Sequence, residues 1–150
     1  MAVSSPETVK FLIVDDLPEN IRALEALLAR DGLELHTAAN GNQALELLLR
    51  NDYALALLDV QMPDMDGFEL AELMRGTERT RHVPIIFITA VATDETRRFR
   101  GYETGAVDFI FKPVDPVVMR SKAKVFFDIG FQQQALNRQR DELRKTTLEL

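Results

Sequence analysis

The chain contains no cysteine. Disulfide frameworks and thiolate metal centres are therefore excluded, and the default compartment is the cytoplasm. Histidine is nearly as scarce. His36 and His82 stand far apart and without evident partners in the sequence, so both read as surface or edge residues and a histidine-built zinc site is not expected. No apolar run approaches the roughly 18 residues that cross a bilayer. Met1–Val9 lacks the basic start and apolar stretch of a secretory leader. A membrane is thus not an expected partner. Nor is nucleic acid by direct contact, because a basic surplus is missing: the formal net charge is −6. Internal repeats, low-complexity tracts and Gly/Ser-rich linkers are absent too.

What is present suits one soluble α/β unit. The chain has 150 residues, enough for one ordinary domain and its core. Its charge is uneven. Residues 1–115 hold 11 Lys and Arg against 20 Asp and Glu, whereas residues 116–150 hold 7 against 4. The acidic excess belongs to the globular part, and the tail is a different kind of segment.

Five short apolar runs read as strands: Lys10–Val14, Leu33–Ala38, Ala54–Leu58, Ile85–Ile88 and Val107–Phe111. Phe11-Leu12-Ile13-Val14 and Ile85-Ile86-Phe87-Ile88 do not alternate with polar residues, which indicates strands covered on both faces of a parallel sheet. Helical patterns separate them. The first runs from Pro18 to Arg30 with Ile21, Leu24 and Leu28 on one stripe, and Gly32 follows where a helix would stop. The second is capped by Asn40 and carries Ala44, Leu45, Leu48 and Leu49 inward. The third starts near Asp66 and presents Phe68, Leu70, Leu73 and Met74. The fourth starts at Thr93, with Glu95 and Glu103 near its ends, Phe99 inward and the weakest apolar stripe. The last begins at Asp115-Pro116 and can run to Leu150, with Val117, Val118, Ala123 and Phe126-Phe127 packing on the sheet. Five alternations predict an α/β, doubly wound, five-stranded parallel sheet in a flavodoxin-like three-layer sandwich, strand order 2-1-3-4-5, with an extended C-terminal helix. Ligands on such a sheet bind outside the C-terminal strand ends, near the switch between strands 1 and 3.

The residues at those ends carry the chemistry. Strand 1 ends in Asp15-Asp16, strand 3 in Asp59, strand 4 in Thr89-Ala90 and strand 5 in Lys112-Pro113. Singly, each has a plainer explanation: Asp15-Asp16 and Thr89 as caps, Asp59 as a turn residue, Lys112 as a solvated charge. A parallel sheet gathers all of them at one rim. Three clustered carboxylates cannot all stay ionised without a cation. Oxygen ligands suit a hard divalent ion, and Mg²⁺ best, since it keeps several waters and shares phosphoryl oxygens. A lysine can hold a phosphoryl oxygen as a point charge and Thr89 can donate a hydrogen bond to another. Phosphoryl transfer to a carboxylate needs little beyond positioning and charge neutralisation.

Four segments now resemble one family. They are Phe11–Asp16, Leu57–Gly67 (Leu-Leu-Asp-Val-Gln-Met-Pro-Asp-Met-Asp-Gly), Pro84–Ala90 and Gly105–Pro113. Together, over residue 9 to about residue 125, the sequence resembles the receiver domain of two-component response regulators. The resemblance implies Asp59 as phosphoacceptor, Asp15 and Asp16 as Mg²⁺ ligands with it, and the backbone carbonyl of Gln61 completing the metal shell. It implies Thr89 as switch hydroxyl, Lys112 as phosphoryl-contacting lysine and Phe109 as the switch aromatic that turns inward on activation. The family more often has Tyr at that place, so Phe109 would act by packing alone. It further implies a cis Lys112–Pro113 bond, and an influence of Gln61 and Val91 on phosphate lifetime. Expected partners are a sensor histidine kinase or phosphotransfer protein as donor. The expected output face comprises the helix after Thr93 and strand 5, with the C-terminal helix. Arg97-Arg98-Arg100 reads as a solvated face that such a partner can meet.

Two rival readings differ in class. One is a non-phosphorylated, receiver-like dimerisation or interaction module; retention of all five rim residues speaks against it. The other is an α/β enzyme such as a phosphatase with an aspartyl nucleophile. Such enzymes carry a second Asp two residues on, where Gln61 stands here, and Asp16-Leu17-Pro18 replaces any glycine-rich phosphate loop. The chain is thus expected to be a signalling domain and not an enzyme. Its expected division is a disordered 1–8, a receiver at 9–128 and a helical linker or coiled-coil stalk at 129–150, which in such receivers continues into an output module. Ile129, Leu136, Leu143 and Leu150 recur every seventh residue. The companion seam positions are Gln133, Arg140 and Thr147, or Gln132, Gln139 and Thr146. A solvated helix and a parallel homodimer stalk both remain open, although a lone polar helix this long is marginal in water.

Overall fold

A computed structural model describes residues 8–90, 105 and 108–149 of the chain, with side chains as far as residue 146. Nine elements follow one another: β1 (Val9–Val14), α1 (Pro18–Leu28), β2 (Leu33–Ala38), α2 (Gly41–Arg50), β3 (Leu55–Asp59), α3 (Gly67–Arg75), β4 (Ile85–Thr89), β5 (Asp108–Phe111) and a C-terminal helix (Pro116–Glu149). Several expectations lie outside the described residues: all of the 1–8 segment except Thr8, the start of strand 5 at Val107, Val91 and Leu150. So does the whole helix expected from Thr93, with Glu95, Phe99, Glu103 and Arg97-Arg98-Arg100.

The sheet has the order β2-β1-β3-β4-β5, and every neighbouring pair is parallel. The unbroken apolar runs are explained by what they touch. Leu12 and Val14 of β1 and Ala56 and Leu58 of β3 join one core cluster with Ala44, Leu48, Phe68 and Met74 of α2 and α3. Their alternates Phe11, Ile13, Leu55 and Leu57 join the other, with Leu24 and Leu28 of α1 and Met119 and Phe127 of the C-terminal helix. β1 and β3 therefore bury both faces, at about 1.5–3 kcal/mol per fully buried large side chain. The layers are helix, sheet, helix, as expected.

Local signals start the helices. Pro18 opens α1, Asn40 Oδ1 accepts the Gln43 N–H at 2.9 Å, and Asp66 Oδ1 accepts the Glu69 N–H at 2.8 Å. α1 ends at Leu28 instead of Arg30, and Gly32 takes its φ of 80° in the connection to β2.

Four inward assignments are corrected. Leu49 is 69% exposed, Leu73 47%, Val117 68% and Val118 43%. Each lies roughly 100° or more around its helix from the buried face, at about 100° per residue. Ala71 and Met119 take inward places instead. His36 lies on edge strand β2, as its reading as a surface or edge residue expected, but it has partners the sequence did not suggest. Its ring nitrogens meet Tyr53 Oη at 2.7 Å and a Glu34 carboxylate oxygen at 2.6 Å, fastening edge strand β2 to the approach to β3.

Candidate functional site

The parallel register sets the site. Thr89 at the end of β4 pairs with Phe111, and Asp59 at the end of β3 pairs with Ile88. The Lys112 N–H donates to the Thr89 carbonyl at 2.8 Å, which carries the residue just past β5 to the same rim. Asp15 directly follows β1, and its N–H donates to the Ala38 carbonyl of β2. All the predicted rim residues that the structure describes are thereby brought to one end of the sheet.

The acidic groups meet there. Asp15, Asp16 and Asp59 each offer a carboxylate oxygen, and these atoms lie within 4.8 Å of one another. Asp15 is 2% exposed and Asp59 4%, whereas Asp16 stands half-buried at the mouth. Lys112 Nζ reaches in between, 3.4 Å from Asp59 Oδ1 and 3.7 Å from Asp15 Oδ2. The Gln61 N–H is 3.4 Å from Asp59 Oδ1. Thr89 is buried at 4% exposure.

One ammonium does not balance the acids. Burial, and then the neighbouring Asp15 carboxylate, push the Asp59 carboxyl up to about 6, against the opposing pull of Lys112 and the Gln61 N–H. A carboxylate so poorly compensated is one that a neighbouring cation would stabilise. Two oxygens on one Mg²⁺ are roughly 3–4 Å apart, given metal–oxygen distances of about 2.0–2.1 Å. The cluster needs to contract only slightly to reach that, and its all-oxygen donors match the ion. The residues fit.

Two contributors carry little sequence signal. Asn20 donates its side-chain amide to Asp15 Oδ2 at 3.2 Å, and the Leu17 N–H donates to Oδ1 at 2.9 Å, so Asp15 is held by the first turn of α1. An Asn five residues after an Asp is a spacing that many helix starts show. Gly67 is the other. A Cβ there would stand 2.3 Å from the Asp59 carbonyl oxygen, so the backbone of α3 presses directly on the Asp59 peptide. The Gly67 N–H also donates to the Val60 carbonyl at 3.1 Å.

Phe109 of β5 is buried, its ring centroid 5.4 Å from that of Phe87 and 6.4 Å from that of Phe111. The aromatic is therefore inward in this structure. The Lys112–Pro113 peptide is cis, as the resemblance implied.

A model of the response regulator receiver domain matches residues 11–124. The transcriptional regulatory protein SrrA of Staphylococcus aureus is 45% identical over 116 residues, which cover 76% of this chain and 46% of that protein. The chain thus spans about half the length of the curated relatives it matches. Among solved structures, the signal receiver domain of a signal transduction histidine kinase from Syntrophus aciditrophicus superposes with a TM-score of 0.73 at 33% identity, covering 81% of this chain and 91% of that one. A CheY-like response regulator receiver domain protein from Methanospirillum hungatei gives 0.74 at 28% identity, covering 84% and 98%.

Proposed function

The chain belongs to the response regulator receiver domain family, and we propose that it works as a phosphoacceptor switch with Asp59 as the acceptor. The observation that carries this is the placement of Asp59. It is buried at the middle of the rim, 3.4 Å from Lys112 Nζ and clustered with Asp15 and Asp16. The donor is a phosphohistidine on a sensor kinase or phosphotransfer protein. A bond forms between an Asp59 carboxylate oxygen and phosphorus as the bond from phosphorus to the donor nitrogen breaks. The leaving imidazole takes a proton and departs neutral.

Asp15, Asp16 and Asp59, with the Gln61 carbonyl, would hold Mg²⁺, which supplies charge neutralisation for the phosphoryl oxygens when bound. Asn20 and the Leu17 N–H keep Asp15 oriented toward it. Lys112 holds one phosphoryl oxygen as a point charge, and Thr89 donates its hydroxyl hydrogen to another. The new dianion draws Thr89 toward Asp59, and the space behind Thr89 changes. Phe109, which packs on Phe87 of the same strand as Thr89, reads that change through packing alone. The two settings of β5 and the adjoining surface are states of one equilibrium, which the phosphoryl group biases. The C-terminal helix carries the result outward as the stalk of a parallel homodimer, from a cytoplasmic location, to whatever module such a receiver serves.

Acetyl phosphate with Mg²⁺, followed by mass spectrometry, tests the assignment. One phosphoryl mass is expected on the native chain and none on Asp59→Asn. A stable phosphoryl adduct on the variant overturns it.

A further inference from the structure

The C-terminal helix has two apolar stripes. One faces the sheet: Met119, Ala123 and Phe127 are buried. Gly130 continues it, because a Cβ there would stand 2.9 Å from the Ala54 Cβ and 3.0 Å from a Val9 methyl. Gln134 closes it, its side-chain amide donating to the Thr8 carbonyl at 2.7 Å. The helix is therefore held against the domain for its first half and more. The second stripe faces away. Val118, Val125, Ile129, Leu136 and Leu143 are 43%, 53%, 52%, 65% and 69% exposed. At about 100° per residue all five fall within a band of about 40°, centred roughly 140° around the helix from the middle of the buried stripe.

The sequence leaves two heptad frames open, and the domain distinguishes them. Gln133 and Arg140 lie on a seam that leads back, seven residues at a time, to Phe126 and Met119, which are turned to the sheet. Gln132 and Gln139 lie on a seam that leads back to Val125 and Val118, which are exposed. Charge favours the second frame again. In a parallel pair the first sets Arg140 against its own copy, whereas the second sets Gln139 against Gln139. A glutamine amide is both donor and acceptor, so a second copy of itself satisfies it. Lys122 also falls in the second frame, but its ammonium is drawn aside to the Asp108 carboxylate of β5.

We infer that this outward stripe is a self-association surface whose seam starts inside the receiver at Val118 and Val125. It then runs through Ile129, Gln132, Leu136, Gln139 and Leu143, with a second copy of this chain as its occupant. This deepens the dimer reading given above: it fixes the frame and places the two receivers in contact at the base of the stalk. A dimer joined only beyond Gln134 would leave Val118 and Val125 in water.

The absence of cysteine makes the test direct. Single variants Gln139→Cys and Arg140→Cys of the whole chain are oxidised mildly and followed by non-reducing electrophoresis. Seam positions of a parallel pair meet the Cα spacing of about 6 Å that a disulfide needs. Gln139→Cys is therefore expected to cross-link at least about tenfold faster than Arg140→Cys. The opposite order, or equal rates, overturns the frame. Light scattering on the unmodified chain separates this from failure of the dimer reading, since a mass of 17.0 kDa refutes both. Val125→Glu, at a position exposed in the monomer, is expected to weaken association at least about tenfold. Unchanged association there, beside a dimer that cross-links through Gln139→Cys, overturns the placement of the seam's start within the receiver.

Discussion

Replacing Asp59 by Asn is expected to stabilise the metal-free protein at neutral pH, the reverse of what loss of a buried polar contact usually does. Asp59 titrates at about 6 in the fold against 3.8 for an unperturbed carboxyl. An upward displacement of that size corresponds to about 3 kcal/mol at neutral pH. The pocket opens to solvent at Asp16 and Lys112, and screening there brings the figure to about 1–2 kcal/mol. The folded state holds the proton more tightly than the unfolded chain. Its contribution to stability is therefore present below about pH 4 and is lost as pH rises through 6. Asn cannot ionise, so the advantage of the variant is full above pH 6, shrinks from 6 toward 4, and is gone below that. Urea unfolding in chelator-treated buffer at about pH 7.5, 6 and 4.5 measures it, and at neutral pH the melting temperature is expected to rise by roughly 3–6 °C. Mg²⁺ is expected to reverse the order of the two proteins, because saturation to a hundred times the dissociation constant would add about 2.7 kcal/mol to the one that binds it more tightly. A variant no more stable than the native chain without metal refutes the reasoning. So does an advantage that is the same at about pH 7.5 and 4.5.

Lys112→Ala removes what is, among the described residues, the only ammonium within 4 Å of Asp59, so the Asp59 titration followed by NMR is expected to move above 6, with Mg²⁺ affinity little changed; complete loss of metal binding contradicts the roles assigned. Gly67→Ala forces a methyl toward a carbonyl oxygen 2.3 Å away and is expected to cost about 2–4 kcal/mol in chemical denaturation and to slow phosphorylation, whereas a loss under about 0.5 kcal/mol refutes the close approach. Ending the chain after Gln134 keeps the buried Met119, Ala123 and Phe127 and the Gln134 bond to the Thr8 carbonyl but removes Leu136 and Leu143, and is expected to give a folded, weakly associating protein by light scattering and circular dichroism; a dimer as tight as the native one places the interface elsewhere.

How legible all this was depended on which physical signal each residue carries. Strands buried on both faces must be apolar throughout, so Phe11–Val14 and Ile85–Ile88 announce themselves. The end of such a run is where a polar residue first becomes tolerable, which is why the sequence alone places Asp15, Asp59, Thr89 and Lys112 on one rim. Helix faces were harder. Leu49 and Leu73 sit one residue beyond Leu48 and two beyond Ala71, close in sequence yet on the flank of the helix. Composition cannot tell a flank leucine from an inward one. Gly67 and Gly130 were illegible as contacts because a glycine signals freedom of the backbone, not the neighbour that would occupy the space of a side chain. His36 was legible as an edge residue, but its partner was not, since Tyr53 lies 17 residues away on the approach to another strand.

β5 joins the two halves of the proposed mechanism. Lys112, just past its C-terminal end, is 3.4 Å from the Asp59 carboxylate. At its other end Asp108 is fixed twice, accepting the Phe109 N–H at 2.8 Å through Oδ1 and pairing with Lys122 of the C-terminal helix through Oδ2. The strand is four residues long, about 13 Å at 3.3 Å per residue, and an extended chain of that length is stiff along its axis. A phosphoryl group that pulls on Lys112 therefore acts on a strand whose far end is ion-paired to the helix that carries the outward apolar stripe. Phe109 stands between the two lysines and packs on the β4 residue Phe87. With no hydroxyl on that ring, its position depends on the room that β4 leaves it. Electrostatics at the C-terminal rim and packing in the middle of the strand thus converge on one four-residue element, and the helix is attached to its other end.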